Sequence, residues 1–148
     1  MHFPIHPLQH AFDRLYKEMN DLYHESAVAM SLSDSASLVL YTLCELGDGC
    51  LQRDLCERCF LSKQTIHSSV RKLEQEGLLT LTPGKGRDMH LALTPAGRAL
   101  AEKTVYPLSE AEYQAMEALS PADQASLLRL TQAYVSALRR ELRQITTE

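Results

Sequence analysis

The sequence has no apolar run of about 18 residues, and it does not begin with the basic stretch and apolar segment typical of a signal peptide. We therefore expect a cytoplasmic protein that has no membrane partner. The sequence also lacks a nucleophile, base and oxyanion set at motif spacing, and it lacks a phosphate-binding glycine loop. These absences argue against an enzyme, and the pattern predicts no cofactor and no metal ion.

Its length of 148 residues and its apolar fraction of 45% suit one compact core rather than two independent ones. The net charge of −4 argues at first against a nucleic-acid partner, because phosphate binding depends on Lys and Arg. The charge is unevenly placed, however. Residues 62–87 carry five basic and two acidic side chains, an excess of three positive charges, which leaves an excess of seven negative charges elsewhere. This distribution favours a basic face on an acidic body.

The first half of the chain carries three helical signals. Apolar residues recur at intervals of three and four over residues 7–30, which predicts a long amphipathic helix. Ser33 is a suitable N-cap for a second helix that reaches about Leu46, where Gly47 and Gly49 end it. A short helix follows over about 52–59.

Ser62 is the predicted N-cap of a fourth helix, which runs to about Glu76. Ile66, Val70 and Leu73 form its inward face. The side chains predicted to face outward are all polar: Lys63, Gln64, Thr65, His67, Ser68, Ser69, Arg71 and Lys72. A polar face without acids in its first turns is suited to lie against DNA.

Residues 78–82 and 89–94 have strand-like patterns, and the turn 83–86 between them contains Pro and Gly. They predict a two-stranded hairpin with a basic tip. Thr94 and Pro95 then begin a helix that runs through about Thr104. We expect this helix to be bent at Pro107 and to continue beyond the bend to about residue 119. Ser120 starts the last helix. Its apolar stripe consists of Leu127, Leu130, Tyr134, Leu138, Leu142 and Ile145.

The order of the elements predicts a winged helix-turn-helix, a mainly α fold with a small β-hairpin wing. The elements are a helix, a short helix, a turn, a polar-faced helix and a basic hairpin. Such a protein places the polar helix in the major groove of double-stranded DNA and the wing tip at the minor groove or backbone. The candidate DNA contacts are Ser62, Lys63, Gln64, Thr65, His67, Ser68, Arg71, Lys72, Lys85 and Arg87. The apolar stripes of the first and last helices predict mutual burial between two chains, and hence a homodimer.

Residues 32–100 resemble the multiple antibiotic resistance regulator (MarR) family. The resemblance is carried by Leu-Ser-Lys-Gln-Thr-Ile at 61–66, Lys-Leu-Glu-Gln-Glu-Gly-Leu-Leu at 72–79 and Leu-Thr-Pro-Ala-Gly at 93–97. It implies a winged helix-turn-helix lobe over 32–100, a dimerisation helix over 1–31 and further dimerisation helices over 101–148. It also implies a homodimer that binds a pseudo-palindromic operator, usually as a repressor, and is released by a small-molecule effector or by oxidation.

The wing departs from the family pattern at one position. Many relatives carry an Asp eight positions before the Leu-Thr pair, where this chain has Lys85, and Asp88 is out of register with that pattern. We expect Arg87 to be the wing contact, without the acid that braces it in those relatives.

Four cysteines, Cys44, Cys50, Cys56 and Cys59, lie within sixteen residues. A reducing compartment disfavours disulfides, and the spacing leaves a zinc site or a redox pair as alternatives. The family resemblance places Cys50, Cys56 and Cys59 at small or aliphatic core positions, which favours core packing. A sensor that oxidises its thiols and then releases DNA stays an alternative, as does a winged helix used only for protein contacts.

Two further sets of residues are candidates for ligand binding. By analogy with the family, Tyr16, Tyr23 and Tyr41 border a small-molecule pocket between the dimerisation helices and the lobe, although tyrosines at helical spacing are more often core. His2, His6 and His10 recur every four residues, but Pro4 and Pro7 argue against the continuous helix that a metal site would need.

Overall fold

The computed structural model describes residues 3–145, which form seven α-helices and three strands. The order is α1 (Gln9–Ala29), α2 (Asp34–Leu46), β1 (Cys50–Leu51), α3 (Gln52–Arg58), α4 (Lys63–Gln75), β2 (Leu79–Pro83), β3 (Met89–Leu93), α5 (Pro95–Lys103), α6 (Val105–Glu117) and α7 (Pro121–Ile145). Mainly helical composition with a small antiparallel sheet confirms the predicted winged helix-turn-helix fold. His2 lies outside the described residues.

Hydroxyl side chains cap four of the helices, at the positions that the sequence predicts. Each hydroxyl accepts a hydrogen bond from the backbone N–H three residues ahead, which would otherwise have no partner within the helix. The caps and their distances are Ser33 for α2 (3.1 Å), Ser62 for α4 (3.2 Å), Thr94 for α5 (3.0 Å) and Ser120 for α7 (3.1 Å). Each cap contributes about 1 kcal/mol to helix stability.

The sheet has one more strand than the hairpin that the sequence predicts. Strands β2 and β3 pair antiparallel, with Leu81 opposite Leu91, and β1 pairs with the other edge of β3, with Cys50 also opposite Leu91. Strand β1 has two residues, too few to show the alternation by which strands are recognised in a sequence.

The core of the lobe lies where α2, α3 and α4 meet the sheet. Its buried side chains are Val39, Leu43, Leu55, Cys59, Ile66, Val70, Leu73, Leu79 and Leu91. A smaller cluster of Leu40, Ala101 and Val105 joins α2 to α5 and the start of α6. Because α4 contributes three side chains to the main cluster, its orientation is fixed by the core.

The predicted bend at Pro107 is wrong in its position. The break lies at Thr104, which has φ −121° and ψ −79° and whose hydroxyl donates a hydrogen bond to the Leu100 carbonyl at 2.7 Å. Pro107 is the third residue of α6, where the missing proline N–H has no partner to lose within the helix. Pro107 therefore lies in a helix start and does not kink a continuous helix.

The described residues up to Leu108 form one compact unit, and those from Ser109 onward form a second. Within the second unit, the Gln124 side-chain amide donates hydrogen bonds to the carbonyls of Met116 (3.0 Å) and Leu119 (3.1 Å), which fixes the turn between α6 and α7. Among the described residues, no single helix is long and apolar enough to cross a membrane. Helices α1 and α2 reach that length and apolar composition only when they are counted together, and the angle between them is 89°.

Candidate nucleic-acid interface

Helix α4 has a buried face and an exposed polar face. Ile66, Val70 and Leu73 are at most 2% exposed, as predicted from their spacing. The predicted contact residues of α4 are all exposed: Lys63, Gln64, Thr65, His67, Ser68, Arg71 and Lys72. No acidic residue lies in the first turn, so this end of the helix carries no charge that would repel phosphate.

Ser69 is the exception among the residues predicted to face outward. It is 8% exposed. It follows Ile66 by three positions and precedes Leu73 by four, so the helical period places it beside the core face. The prediction that Ser69 faces outward was wrong because it followed the polarity of the side chain and not its position in the helical period.

Polar contacts fix the start of α4 and join it to α3. The Ser62 hydroxyl caps the helix and lies 2.8 Å from the Thr65 hydroxyl, so both groups are engaged within the protein. The His67 ring nitrogen Nδ1 lies 3.3 Å from the side-chain amide of Gln52, the first residue of α3. These contacts hold the first two turns of α4, the part that meets base edges in helix-turn-helix proteins.

The wing is the β2–β3 hairpin with residues 84–88 at its tip. The Gly84 N–H donates to the Asp88 carbonyl at 2.8 Å, and the Asp88 N–H donates to the Lys85 carbonyl at 3.1 Å. Gly86 adopts φ +61°, a left-handed conformation that glycine takes at little cost. The side chains of Lys85 and Arg87 are exposed and make no hydrogen bond or ion pair with any described residue. Both charges at the tip therefore face solvent.

The acid that follows Arg87 has a different partner from the one the family pattern suggests. The Asp88 carboxylate lies 3.7 Å from the Arg53 guanidinium on α3. The His90 ring nitrogen Nδ1 lies 2.8 Å from the Gly49 carbonyl oxygen, which can only accept the hydrogen bond. Contacts with α3 and with the turn after α2 thus hold the wing against the lobe, and nothing on the wing pairs with Arg87 itself.

Asp48 connects the turn after α2 to β3 and α5. Its carboxylate accepts hydrogen bonds from the Leu93 N–H at 3.0 Å and from the Arg98 guanidinium at 2.8 Å. The Arg98 hydrogen bond, helped by the Leu93 N–H, holds the pKa of the Asp48 carboxyl below its ordinary value. The carboxylate therefore stays ionised at neutral pH and fixes the base of the wing.

Phe60 is not among the contacts that the sequence predicts. It lies in the turn between α3 and α4, two positions before the N-cap of α4, and it is 90% exposed. A phenyl ring exposed to this extent beside a polar helix start is a candidate contact. The only available sequence signal is an aromatic residue within a helix-turn-helix turn.

The cysteines are free thiols that the lobe partly or fully buries. Cys59 is buried, whereas Cys44, Cys50 and Cys56 are partly exposed. Burial raises the pKa of the Cys44, Cys50 and Cys59 thiols, and the nearby Asp48 and Asp54 carboxylates raise it further at Cys44 and Cys50 respectively. A raised pKa lowers the thiolate fraction on which oxidation and metal binding depend. The described residues contain no group of three or more candidate metal ligands.

The three candidate pocket tyrosines lie on two helices, Tyr16 and Tyr23 on α1 and Tyr41 on α2. Tyr16 and Tyr23, on α1, are 59% and 50% exposed, and Tyr41 packs against the cluster that contains Leu40. A cleft of about 470 Å³ lies between the start of α2 and α4, and none of these tyrosines lines it. His6 lies before α1, where its Nδ1 accepts a hydrogen bond from the Leu8 N–H at 3.1 Å.

The winged-helix lobe is similar to one protein family. Residues 30–88, which contain α2, α3, α4, β2 and the wing tip, match the MarR family. Over these residues the winged-helix lobe is similar to the MarR family. This finding confirms the resemblance carried by residues 61–66 and 72–79. A search of curated proteins found no match.

Solved structures of bacterial proteins share the fold of nearly the whole chain. A MarR family regulator from Neisseria meningitidis has 20% identity and a TM-score of 0.78, over 95% of this chain and 99% of that one. BpsR from Bordetella bronchiseptica, whose DNA binding is regulated by 6-hydroxynicotinic acid, has 22% identity and a TM-score of 0.68, over 90% and 98%. MepR from Staphylococcus aureus, solved in complex with DNA, has 19% identity and a TM-score of 0.69, over 91% and 99%.

Proposed function

We propose that this protein is a DNA-binding transcriptional regulator that acts as a homodimer on a pseudo-palindromic operator. The observation that carries the proposal is the outward face of α4, which is exposed, polar and free of acids in its first turn, beside a wing tip with two exposed cations. A helix of this kind fits the major groove, and an arginine at a wing tip gains from the negative potential of a narrow minor groove.

The contact residues have three expected roles. Gln64, Ser68 and Arg71 are spaced to meet base edges and confer sequence preference. Lys63, Lys72 and Lys85 contribute charge against phosphates, and this part of the affinity falls steeply as salt rises. Arg87, at the wing tip beside Lys85, is expected to enter the minor groove. Salt dependence therefore separates this function from that of a winged helix used only for protein contacts.

Exposed apolar faces support the homodimer. On α1 the side chains of Phe12, Leu15 and Met19 are each about half exposed, and on α7 those of Leu130, Leu138 and Leu142 are similarly exposed. Apolar area of this extent marks an association surface. A second copy of this chain would cover both faces and would hold two α4 helices about 34 Å apart, one turn of DNA. The segments 1–31 and 101–148 are then the dimerisation segments.

Repression relieved by a small molecule is the mode of action that we propose. It is supported by the likeness in fold to BpsR, whose DNA binding is regulated by 6-hydroxynicotinic acid. An effector that binds better to a dimer with the wrong spacing of α4 helices would lower DNA affinity by a population shift. Tyr16, Tyr23 and Tyr41 stay candidates for an effector site. Thiol oxidation receives less support as the signal, because the pKa is raised at three of the four cysteines.

The test is binding to DNA from just upstream of the protein's own gene, at two salt concentrations, for the wild type and for Arg87→Ala. We expect nanomolar binding that weakens steeply with salt and weakens further, by roughly tenfold, in the variant. Lys103→Gln, at the end of α5, removes one exposed charge that lies neither on α4 nor on the wing, and it should bind like the wild type once sedimentation velocity has shown that it is still a dimer. Equally poor binding by wild type and Arg87→Ala at low salt would contradict the proposal.

A further inference from the structure

The cleft between α2 and α4 has the composition of an anion site. It lies where the segment that joins α1 to α2 faces one side of α4, and its volume is about 470 Å³. Five serines line it, Ser31, Ser33 and Ser35 on one wall and Ser68 and Ser69 on the other, and Lys72 contributes the one cationic side chain. Glu76 is the single acidic residue of the lining and lies one helical turn beyond Lys72. Hydroxyl donors around a lysine are groups that bind oxyanions.

Lys72 brings a charge that nothing in the described part of the chain neutralises. The lobe pairs other cations with carboxylates: Arg53 with Asp88, Arg58 with Glu45, and Arg98 with Asp48. Lys72 makes no ion pair or hydrogen bond with any residue that the structure describes, and its side chain is exposed at the cleft. An unpaired lysine in a concave, hydroxyl-lined site attracts an anion more strongly than one on an open surface.

Ser69 provides a second, independent observation. It lines the cleft although it is only 8% exposed, and its hydroxyl makes no hydrogen bond with the described residues. No buried side-chain nitrogen or oxygen atom of the described residues lacks a hydrogen-bond partner, so the unpaired Ser69 hydroxyl is not enclosed but opens onto the cleft. A ligand or water in the cleft is the partner that remains within reach.

The start of α2 adds a favourable field. Helix α2 has 13 residues, and its N-terminus, which carries partial positive charge, forms one wall of the cleft. The acid in its first turn, Asp34, accepts hydrogen bonds from the His24 ring on α1 at 2.9 and 3.0 Å and is not part of the lining. Its carboxylate is therefore held on the α1 side of the helix.

We propose that the cleft between α2 and α4 is an oxyanion site formed by Lys72, Ser69 and the N-terminus of α2. The inference rests on the proposed function for its occupant, which is a backbone phosphate of the DNA strand that borders the groove entered by α4. Gln64 and Ser68 support this, because both line the cleft and both lie on the outward face of α4. A free oxyanion of a small molecule has the same chemistry and would occupy the same site.

The experiment compares Lys72→Gln and Ser69→Ala with the control Lys103→Gln, after sedimentation velocity has shown that all three variants are dimers like the wild type. The first measurement is the salt dependence of binding to operator DNA. Loss of one phosphate contact per protomer should weaken binding by roughly tenfold and lower the slope of log K against log salt by about 0.9 per contact. The effect should be the same on operator and unrelated DNA, since phosphates carry no sequence. Phosphate ethylation interference should show one sensitive position per half-site that Lys72→Gln loses.

The second measurement uses the protein without DNA and inorganic phosphate as the probe. Saturable shifts of the backbone amide signals of residues 33–36 and 69, abolished in Lys72→Gln, would show that a free oxyanion fills the site. Unchanged DNA affinity and salt slope in both variants, together with no phosphate-induced shifts, would overturn the inference. If the wild type binds no DNA, the proposed function fails, and the phosphate titration still tests the cleft.

Discussion

Helices α4 and α7 carry similar apolar patterns but place them in different surroundings. On α4, Ile66 and Val70 are fully buried by the rest of the lobe. On α7, Leu130 and Leu138 recur with the same helical period, yet they are 57% and 43% exposed, and no residue of α7 is buried. The period of an apolar stripe thus predicts a helix and its inner face, but it does not predict whether the same chain or a second one covers that face.

The difference gives the two helices different consequences when they are altered. Loss of an apolar group on α4 removes contacts within the lobe and leaves a cavity there. Loss of one on α7 removes nothing from a buried core, and on the proposed function it weakens the association of two chains. Substitutions on the two helices therefore separate folding from dimerisation.

The largest effect is expected for Ile66→Ala. Ile66 is fully buried in the core cluster, so the substitution should lower the free energy of unfolding by about 2–5 kcal/mol. Gln64→Ala, on the exposed face of the same helix, should change it by less than about 0.5 kcal/mol. Urea denaturation followed by circular dichroism measures both. A change for Ile66→Ala as small as that of its control would mean that the core does not depend on α4.

Leu138→Asp should have the next largest effect, on assembly. A carboxylate in the middle of an apolar interface would lose its hydration, so the variant should shift from dimer to monomer at micromolar concentration. Ser136→Asp adds the same charge on the opposite side of α7 and should leave the dimer intact. Sedimentation velocity distinguishes the two species. Identical sedimentation of Leu138→Asp and wild type as dimers would place the dimer interface elsewhere.

Local signals in the sequence were sufficient for most of the helices and for the inner face of α4. Ser62 and Thr94 cap helices because their hydroxyls reach an N–H only three residues away, and Ile66 and Val70 are buried because their spacing fixes one side of a helix. These features depend on neighbours along the chain, so the sequence carries them directly.

The features that the sequence could not provide depend on residues far apart in the chain. Strand β1 exists because Cys50 and Leu51 meet the free edge of β3, and the pair of Asp88 with Arg53 exists because the wing folds back towards α3. In each case, the sequence around one partner gives no signal that identifies the other. The same holds for the cleft between α2 and α4, whose two walls come from separate helices.

Phe60→Ala tests a large apolar side chain of the lobe that is exposed to solvent, as those of α7 are. Phe60 is 90% exposed, so its removal should leave the free energy of unfolding within about 0.5 kcal/mol of the wild type. If the ring covers a sugar or a thymine methyl group beside α4, DNA affinity should fall by roughly tenfold. Phe60→Leu, which keeps an apolar contact, should lose less. Unchanged affinity in Phe60→Ala, measured by fluorescence anisotropy, would exclude the contact.

The smallest effect is expected for Asp48→Asn, which removes the carboxylate that joins the turn after α2 to β3 and α5. Because Arg98 lowers the pKa of Asp48 in the folded protein, the carboxylate stabilises the fold at any pH above the ordinary pKa of an aspartate, and this contribution is lost as the pH falls through the lowered value. The stability difference between wild type and Asp48→Asn should therefore be largest near neutral pH and should shrink in acid. Both side chains are partly exposed, so the difference should be smaller than the effect of Ile66→Ala and should decrease with salt. Arg98→Gln, measured by thermal unfolding over the same pH series, should give the same curve, since it removes the cause of the lowered pKa. A difference that grows in acid would show that the contact with Arg98 does not stabilise the ionised form.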